Sequence, residues 1–538
     1  MKISFNWLKQ YIDINQEVEE VATILTDTGL EVEGIEKTEQ VQGGLRGLVL
    51  GEVLTCSPHP NADKLSITTV DIGGDAPSPI VCGAPNVAVG QKVIVATVGT
   101  TLYPLEGDSF KIKKAKIRGE VSEGMICAED EIGVGTGHDG ILVLDTELSV
   151  GSPASAYFQF EDDYTIEIGL TPNRADGTSH IGVARDLKAV WNKEVKWPSV
   201  SDFKVDNTDL QLDVTVENTE ACPRYSGLTI SGITIAESPD WLKQRLLSIG
   251  LSPINNVVDI TNFVLHEMGQ PLHAFDAGKI SGGKVIVKTL PQGSKFKTLD
   301  ELDRTLDSTD LMICDDSEGM CIGGVLGGIG SGVTNDTTAI FLESAYFSPE
   351  YIRRTAQRHQ IKTDASFRFE RGTDPNLTVY ALKRAAMLIQ EVAGGSISSE
   401  IVDIYDNPVN NFQVPVKYAH IDRLLGKALP KETIKHILNN LDIGLLDESE
   451  KGFTADVPPY RVDVQREADV IEEILRIYGF ENIELPETVG SNFLADFPLN
   501  DPTSQQKKVT DYLVANGFYE TMTNSLTTVS YTHLTLPT

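Results

Sequence analysis

The sequence predicts a multidomain α+β protein, with a small β-barrel inserted near the N-terminus, then a large mixed α/β block and a smaller α/β unit. Three observations carry this prediction. The chain has 538 residues, more than one ordinary hydrophobic core organises. Its composition, 41% hydrophobic and 23% charged, is typical of a globular protein. The pattern of apolar and turn residues changes along the chain. It predicts helices first, then short strands between turns, and then a mixture of helices and strands.

The first 40 residues predict short helices. Ser4 suits the N-cap of a helix, and apolar residues from Trp7 to Ile12 follow at helical spacing. A further helix is predicted over 179–191, again with a serine at its cap. We expect residues 1–40, as a helical segment, to pack with residues 155–200.

Residues 41–153 predict a small barrel. Their strand-like segments VLGEVLTCS, LSITTVDIG, SPIVCGAP and KVIVATV are separated by the turns HPNAD, GGDAP and NVAVGQ. Several short strands at this spacing are typical of barrels. The G-x-G-x-x-G match at 135–140 lacks a strand-to-helix context, so we expect it to be a loop of this barrel.

Residues 210–400 form the largest block. KVIVK at 284–288 predicts a strand, and LMIC with MCIGGV predicts a hairpin around the turn DDSEG. A helix closes the block, with Asp374 expected as its cap, Pro375 at its first position and Gly394 at its end.

The remaining sequence predicts three further parts. A smaller α/β unit is expected over 409–485, after a linker. Helix-like sequence then opens an incomplete domain over 486–526. Residues 527–538 are polar and lack a period, which indicates a non-native tail.

The formal net charge of −33 argues against nucleic-acid binding by the chain as a whole, because phosphate binding depends on Lys and Arg. Any RNA contact must come from a local basic patch or from a partner. The six cysteines are scattered without a C-x-x-C pair, which disfavours structural zinc and disulfides and predicts reduced thiols in the cytoplasm. No export signal and no apolar run near the roughly 18 residues of a membrane span are evident.

One segment of the predicted barrel is basic. Residues 110–119, FKIKKAKIRG, carry five cations: Lys111, Lys113, Lys114, Lys116 and Arg118. Alternate side chains of a strand share a face, so Lys114, Lys116 and Arg118 are expected to line up. Such a face suits RNA phosphates, but a solvated, lysine-rich edge strand has the same pattern. Both interpretations stay open on this segment alone.

Four motifs mark the central block: DITNFVLHEMGQPLHAFD (259–276), CIGGVLGG (321–328), FLESAYF (341–347) and TDASFRFERG (363–372). A lone histidine such as His273 is more often a satisfied structural residue. A glycine run by itself indicates close backbone approach and no particular ligand. No Ser-His-Asp or Cys-His nucleophile set is evident. Taken one at a time, these motifs assign no chemistry.

Acidic residues are concentrated in PYRVDVQREADVIEEILRIYGFENI (459–483), with Asp463 near its start. Four charged residues fall at i, i+3, i+4 and i+7 and so share one polar stripe of a helix: Asp469, Glu472, Glu473 and Arg476. An amphipathic helix whose early acids complement its dipole explains this pattern. Converging carboxylates also suit a hard cation such as Mg²⁺.

Longer stretches resemble a known family. LTPNRADGTSHIGVARDLKAV (170–190) is close to a signature of the beta subunits of bacterial phenylalanyl-tRNA synthetases. Segments 53–73, 80–87 and 122–133 together resemble the tRNA-binding oligonucleotide-fold module of methionyl- and phenylalanyl-tRNA synthetases. The resemblance runs from Met1 to about Leu526. It implies a class II catalytic-like domain that starts near residue 486 and is cut short at the C-terminus.

The resemblance implies that the central block is an editing domain, which hydrolyses tyrosine wrongly attached to phenylalanine tRNA. A pocket shaped for phenylalanine rejects an analogue with one extra hydroxyl only on the order of 10²-fold, so a second site is needed. Carried over by motif, Glu343 would accept the tyrosine hydroxyl, and three residues would surround the aminoacyl ester and the attacking water: Thr261, Asn262 and His273. Three more would shape the pocket: Gly323, Thr363 and Ala365. Positioned water and RNA groups are favoured over a covalent mechanism.

The resemblance also implies partners. The ligase site would lie on an alpha subunit in an α₂β₂ assembly, with phenylalanine, ATP and tRNA(Phe) as substrates of the complex. A magnesium site shared with that subunit would use four carboxylates: Asp463, Asp469, Glu472 and Glu473. The Arg-x-Glu element at 368–370 imitates the ATP clamp of class II synthetases, but the resemblance places it inside the editing domain.

The alternative function is a stand-alone RNA-binding or trans-editing protein without a synthetase partner. The acidic stripe speaks against this alternative, since an isolated protein has little use for a shared cation site.

Overall fold

A computed structural model gives the fold and describes residues 1–39, 41–105, 107–158, 163–484 and 500–522. The chain divides into two compact units, residues 1–482 and 483–538. The tail predicted over 527–538 lies outside the described residues, as do residues 486–499 and 523–526. No helix in the described ranges is long and apolar enough to cross a membrane.

Helices are numbered along the chain as follows: α1 (Phe5–Leu8), α2 (Val18–Asp27), α3 (Ala154–Phe158), α4 (His180–Trp191), α5 (Asp240–Ser248), α6 (Asn256–Met268), α7 (Pro349–His359), α8 (Asp364–Phe369), α9 (Thr378–Ala393), α10 (Tyr418–Leu425), α11 (Lys431–Asn440), α12 (Glu467–Tyr478) and α13 (Pro502–Ala515).

Strands are numbered in the same way: β1 (Lys2–Ser4), β2 (Glu31–Thr38), β3 (Leu48–His59), β4 (Ala62–Asp71), β5 (Ser78–Cys82), β6 (Lys92–Thr97), β7 (Thr101–Leu102), β8 (Phe110–Lys111), β9 (Ala115–Ile117), β10 (Glu120–Ser122), β11 (Gly124–Ile126), β12 (Val143–Leu144), β13 (Asp163–Gly169), β14 (Asp213–Val216), β15 (Arg224–Ser231), β16 (Leu272–Asp276), β17 (Lys284–Thr289), β18 (Lys295–Lys297), β19 (Asp303–Thr305), β20 (Leu311–Cys314), β21 (Gly319–Ile322), β22 (Leu326–Gly327), β23 (Ala339–Tyr346), β24 (Ser396–Ile397), β25 (Val402–Ile404), β26 (Phe412–Lys417), β27 (Gly444–Leu446) and β28 (Gly452–Val457).

The N-terminal segment pairs with the chain that follows the barrel. β13 is the middle strand of an antiparallel sheet in the order β1-β13-β2. Ser4 caps α1 as predicted, because its hydroxyl accepts the amide of Trp7 at 3.0 Å. The helix predicted through Ile12 is wrong, since α1 ends at Leu8 and the segment contains strands as well as helices. The Trp7 ring stacks on His180 of α4 with centroids 3.9 Å apart, which joins the two segments.

The predicted barrel is present and nearly closed. Its main sheet has the order β11-β6-β3-β4-β5, and β12 also pairs with β6. The two ends of this path meet, because the Glu123 amide donates to Pro79 O at 2.8 Å and the Val81 amide donates to Ser122 Oγ at 3.1 Å. Residues 135–140 lie in the connection between β11 and β12, outside any helix or strand, as expected.

The central block is built from two five-stranded sheets and the short hairpin of β18 and β19. One sheet has the order β16-β23-β15-β24, with β25 also paired to β15, and the other has the order β14-β17-β20-β21-β22. One face of the first sheet packs with α5, α6 and α9 in a core that also takes in the N-terminal segment and α4. Its other face, with Tyr225, Phe275 and Phe341, packs against the second sheet. Residues on this second face are therefore enclosed between two sheets.

Most predicted elements of the block are confirmed. KVIVK forms β17, and the predicted hairpin is β20 paired with β21. The closing helix ends at Gly394 as predicted, but it begins at Thr378 and not at Pro375. The carboxylate of Asp374 accepts the amide of Asn376 at 2.9 Å instead of capping the helix, so these residues form a separate turn.

The smaller unit consists of the antiparallel sheet β26-β28-β27, covered by α10, α11 and α12. α12 contributes the apolar residues Val470, Ile471 and Ile474 to this core. In the second compact unit, the predicted helix is present as α13, and the carboxylate of Asp501 caps it by accepting the amides of Thr503 and Ser504.

Candidate functional site

Glu343 lies on β23, on the face enclosed between the two central sheets. The side chain is only 5% exposed. Its Oε2 accepts a hydrogen bond from the Tyr225 hydroxyl at 2.7 Å. Burial raises the pKa of Glu343 to about 8, although the Tyr225 hydrogen bond acts in the opposite direction. The carboxyl group therefore holds a proton at neutral pH.

His273 stands directly across from Glu343, because β16 and β23 pair antiparallel with these two residues in register. Cross-strand partners have their side chains on the same face of the sheet, with Cβ atoms about 5 Å apart. Burial lowers the pKa of His273 to about 4, so the ring is neutral at pH 7. Its ring packs edge-on against Phe275 at 4.5 Å. Within the described ranges, no residue forms a hydrogen bond with the ring, whose nitrogens remain available to a ligand or water.

The glycine-rich segment that forms the turn after β21 and then β22 lies against His273. A Cβ on Gly327 of β22 would lie 2.9 Å from Leu299 Cδ1 and 3.1 Å from His273 Cε1, so a larger residue would crowd both side chains. Gly323 opens the turn, and its amide donates to Leu311 O at 2.9 Å. The Thr363 hydroxyl donates to Val325 O at 2.9 Å, which ties the start of α8 to the same turn.

Thr363 also organises α8. Its hydroxyl accepts the Ser366 amide at 3.0 Å, and the Ser366 hydroxyl accepts the Thr363 amide at 2.9 Å, a reciprocal cap. Ala365, in the first turn of α8, is partly buried and packs against the core between the two sheets. The structure therefore brings four of the predicted regions together around one turn.

Thr261 and Asn262 are placed differently. They lie on α6, which packs against the opposite face of the sheet together with Ala274 and Leu342. The Thr261 hydroxyl donates to Val258 O of its own helix at 2.7 Å. Among the described residues, no hydrogen bond joins either side chain to Glu343 or His273. Their role at the site stays a prediction.

The thiols near Glu343 are poor nucleophiles. Burial raises the pKa of Cys222 and of Cys321 well above that of a free thiol. A thiol that stays protonated does not attack an ester at neutral pH. The arrangement of a neutral imidazole opposite a buried carboxyl group therefore fits activation of water better than covalent catalysis.

The basic segment does not form the predicted strand. It is divided into β8 and β9, and Arg118 has a φ of 51°, a left-handed conformation that ends β9. Lys114 lies outside both strands and forms an ion pair with Glu123. The expected line of Lys114, Lys116 and Arg118 along one strand face is therefore wrong.

The cations of this segment nevertheless remain at the surface. All five are exposed, although Lys114 is paired with Glu123: Lys111, Lys113, Lys114, Lys116 and Arg118. Lys111 and Lys113 line a cavity of about 520 Å³ beside the barrel, together with Glu131 and His138. The cavity presents cations next to an apolar floor.

The acidic stripe is also corrected by the structure. Glu473 is buried, and its carboxylate accepts from Arg461 at 2.8 Å and from Arg476 at 2.7 Å. Asp469 is paired with Arg466 at 3.0 Å. In the part of the chain that the structure describes, no three His, Cys, Asp or Glu side chains are placed to hold a metal ion. Two of the four carboxylates, Asp469 and Glu473, are thus paired with arginines, and within the described residues the four form no metal-binding group.

The other two carboxylates are free of arginine among the described residues. Asp463 accepts from the Asn173 amide group at 3.0 Å, and Glu472 is exposed. These two side chains are the ones that a second chain can reach without breaking an internal ion pair.

Glu473 belongs to a buried ion-pair cluster that the sequence did not predict. The cluster balances three arginines against three carboxylates: Arg174, Asp176, Asp186, Arg461, Glu473 and Arg476. Arg174 and both aspartates come from the signature-like segment 170–190, whereas the other three come from 459–483. The cluster thus joins the smaller unit to the region around α4. The feature of the sequence that could have indicated it is the presence of arginines beside the acidic residues in both segments.

Arg368 of the Arg-x-Glu element is a structural residue. It is almost fully buried. Its guanidinium donates to Asp364 Oδ1 at 3.1 Å and to Thr178 O at 3.2 Å, and lies 3.2 Å from His266 Nδ1. A guanidinium enclosed in this way does not clamp a triphosphate.

Three family models match the chain. The B3/4 domain covers residues 221–394, the tRNA binding domain covers residues 48–153, and the tRNA synthetase B5 domain covers residues 414–480. The central block holds the first of these, the barrel the second and the smaller unit the third.

Curated relatives carry one name. The chain is 55% identical over 537 residues to the phenylalanine–tRNA ligase beta subunit of Bacteroides fragilis (strain YCH46), and 51% identical over 537 residues to that of Porphyromonas gingivalis (strain W83). Each alignment covers 99% of this chain and 65% of the relative. A solved N-terminal fragment of the phenylalanyl-tRNA synthetase beta subunit from Pyrococcus horikoshii is 17% identical and covers 59% of this chain and 87% of the fragment, but its TM-score of 0.31 carries no weight for the fold. The sequence matches are decisive: the chain belongs to the family of phenylalanine–tRNA ligase beta subunits.

Proposed function

We propose that this chain works with an alpha subunit in the ATP-dependent attachment of phenylalanine to tRNA(Phe), and that it hydrolyses tyrosine mischarged onto that tRNA. The names of its relatives support the first activity. The observation that supports the second is the pair of His273 and Glu343, which face each other between two sheets inside the B3/4 region.

The proposed editing step depends on the hydroxyl that distinguishes tyrosine from phenylalanine. Glu343 offers this hydroxyl a hydrogen bond in an enclosed site. A phenylalanyl group would leave the buried carboxyl without that partner, which costs about 1–3 kcal/mol. The neutral ring of His273 has one unprotonated nitrogen, which accepts a proton from water. That water attacks the ester carbonyl, the bond from the carbonyl carbon to the ribose oxygen breaks, and the ribose oxygen takes up the proton from the His273 imidazolium as it leaves.

The remaining site residues have supporting roles in this proposal. Gly323, Thr363 and Ala365 shape the wall around the turn over His273. Thr261 and Asn262, in the middle of α6, are proposed to contact the ester or the RNA.

The partners and the location are proposals of the same kind. We propose an α₂β₂ assembly in the cytoplasm, in which the exposed cations of residues 111–118 contact tRNA. All six cysteines are free, which suits a reducing compartment. A magnesium ion shared with the alpha subunit is proposed only at Asp463 and Glu472.

The test is hydrolysis of tyrosyl-tRNA(Phe) and phenylalanyl-tRNA(Phe) by the purified 538-residue chain, alone and mixed with an alpha subunit. Selective release of tyrosine supports editing, and capture of the alpha subunit supports the synthetase assembly. Selective hydrolysis without any capture would favour the stand-alone trans-editing alternative. No hydrolysis under either condition would overturn the editing proposal.

A further inference from the structure

The Glu343 carboxyl group already accepts a hydrogen bond from a tyrosine hydroxyl of the protein itself. Tyr225, on β15, is fully buried, and its Oη donates to Glu343 Oε2 at 2.7 Å. The Tyr225 ring stacks on Phe341 with centroids 6.5 Å apart, so the hydroxyl is held by a packed ring. The residue opposite Glu343 on β15 is Gly227. A Cβ there would lie 2.3 Å from Phe341 Cζ, so the Phe341 ring fills that position of the wall.

The two oxygens of Glu343 are therefore not equivalent. Oε2 is satisfied by Tyr225, whereas Oε1 has no hydrogen-bond partner among the described residues. Oε1 is not among the fully buried polar atoms that lack a hydrogen-bond partner. It therefore keeps some accessible surface, although Glu343 as a whole is only 5% exposed. One oxygen is thus held by Tyr225, and the other has no hydrogen-bond partner among the described residues, on a side chain that shares its face of the sheet with His273.

We propose that Tyr225 is a specificity-determining positioning residue, whose hydroxyl holds Oε2 of Glu343 so that Oε1 meets the hydroxyl of a tyrosyl group. This inference rests on the proposed editing function and deepens it, since it names the residue that sets the geometry of recognition.

The physical reason is preorganisation. A glutamate has several rotatable bonds, and each orientation that does not face the ligand weakens recognition. A hydrogen bond from a rigid, buried phenol selects one orientation before the ligand arrives. Without it, the carboxyl group can turn its second oxygen to the ligand or rotate away, and discrimination falls.

The same hydrogen bond affects the pH at which the Glu343 carboxyl group ionises. Burial raises the pKa of the carboxyl group, and the Tyr225 hydrogen bond lowers it. Removing the hydroxyl therefore raises that pKa further. An ionised carboxylate accepts a stronger hydrogen bond from a phenol than a neutral acid does. The preference for tyrosyl esters should thus increase as Glu343 ionises, and this transition should move to higher pH when the Tyr225 hydroxyl is absent.

The experiment compares Tyr225→Phe with wild type in the 538-residue chain, with kcat/KM measured for tyrosyl-tRNA(Phe) and phenylalanyl-tRNA(Phe) between pH 5 and 9. The matched control is Tyr11→Phe, which removes the hydroxyl of another buried tyrosine that donates to a glutamate, Glu267, also at 2.7 Å. We expect Tyr225→Phe to reduce the tyrosyl preference by about three- to tenfold, the factor that one neutral hydrogen bond contributes. We expect the control to leave the preference and its pH transition unchanged.

Each outcome separates the two proposals. An unchanged preference and pH transition in Tyr225→Phe, with wild-type editing intact, would overturn the positioning role alone. Absence of editing in the wild type would overturn the proposed function and this inference together. If Tyr225→Phe does not fold, Glu343→Gln is measured instead. With Tyr225 holding its carbonyl oxygen, the amide should keep part of the tyrosyl preference without any pH transition, and complete loss of preference would overturn the positioning role.

Discussion

Arg461 Nη1 lies 2.8 Å from Glu473 Oε2, and both side chains are more than nine-tenths buried. The glutamate that the motif suggests as a metal ligand is therefore half of an internal ion pair. Arg476 contacts the same carboxylate at 2.7 Å, and its guanidinium also reaches Asp186 at 3.1 Å. Breaking such a pair by removing one partner leaves a buried charge without compensation.

We predict that Glu473→Gln destabilises the chain by about 3–5 kcal/mol, the cost of an unpaired buried charge. The measurement is urea unfolding followed by circular dichroism. The matched control is Glu472→Gln on the same helix, whose side chain is exposed and whose effect should stay within about 0.5 kcal/mol. Equal stabilities of the two variants would return Glu473 to the role of a free metal ligand.

The same carboxylate predicts how acid affects stability. Burial alone would raise the pKa of Glu473, but the guanidinium groups of Arg476 and Arg461 outweigh it and hold the pKa at about 2, against 4.5 for an ordinary glutamate. Because the folded pKa is the lower one, the contribution is fully present above pH 4.5 and is lost as the pH falls through about 2. Thermal unfolding of wild type between pH 5 and 2 should show a steeper loss than Glu473→Gln. Parallel curves would contradict this assignment.

We predict that Glu343→Ala removes the preference for tyrosyl over phenylalanyl esters, by about tenfold or more. Ser344→Ala is the matched control, because successive residues of a strand face opposite sides of the sheet. Its hydroxyl is buried without a hydrogen-bond partner, so its loss should cost little. Hydrolysis of each ester after rapid mixing gives the ratio, and a Glu343→Ala ratio equal to wild type would remove Glu343 from recognition.

His273→Ala should slow hydrolysis of tyrosyl-tRNA(Phe) by about 10²-fold, because a positioned base typically contributes at least that factor. It should leave the chain folded, since the ring makes no hydrogen bond to any described residue and only its packing is lost. A large loss of stability with normal hydrolysis would show that His273 is a structural residue.

Alanine at Lys111, Lys113, Lys116 and Arg118 should weaken tRNA binding and reduce its salt dependence by up to about one unit of slope per lost phosphate contact. Filter binding at several salt concentrations gives the slope. Lys114→Ala is the matched control, because Lys114 is already paired with Glu123. An equal effect of the control, or no effect of the fourfold variant, would favour a solvated surface with no RNA contact.

Several local features follow from the sequence alone, because neighbouring residues determine them. Ser4 and Ser179 cap their helices through amides three residues away. The run of alternating strand residues that forms β17 and the hairpin of β20 and β21 depend on side chains within the same segment. Family motifs placed Glu343 and His273 in one domain, and the register of β16 and β23 places them face to face.

The tertiary structure decided which charges are free and which are paired. Tyr225 reaches Glu343 across 118 residues, and Arg476 reaches Asp186 across 290 residues. No periodicity within a helix or strand reports such partners, so the patterns on α12 and on residues 110–119 do not show which of their charges are already paired. Burial gives the physical reason: a charge removed from water must be neutralised by another charge nearby, and only the fold determines which residue that is.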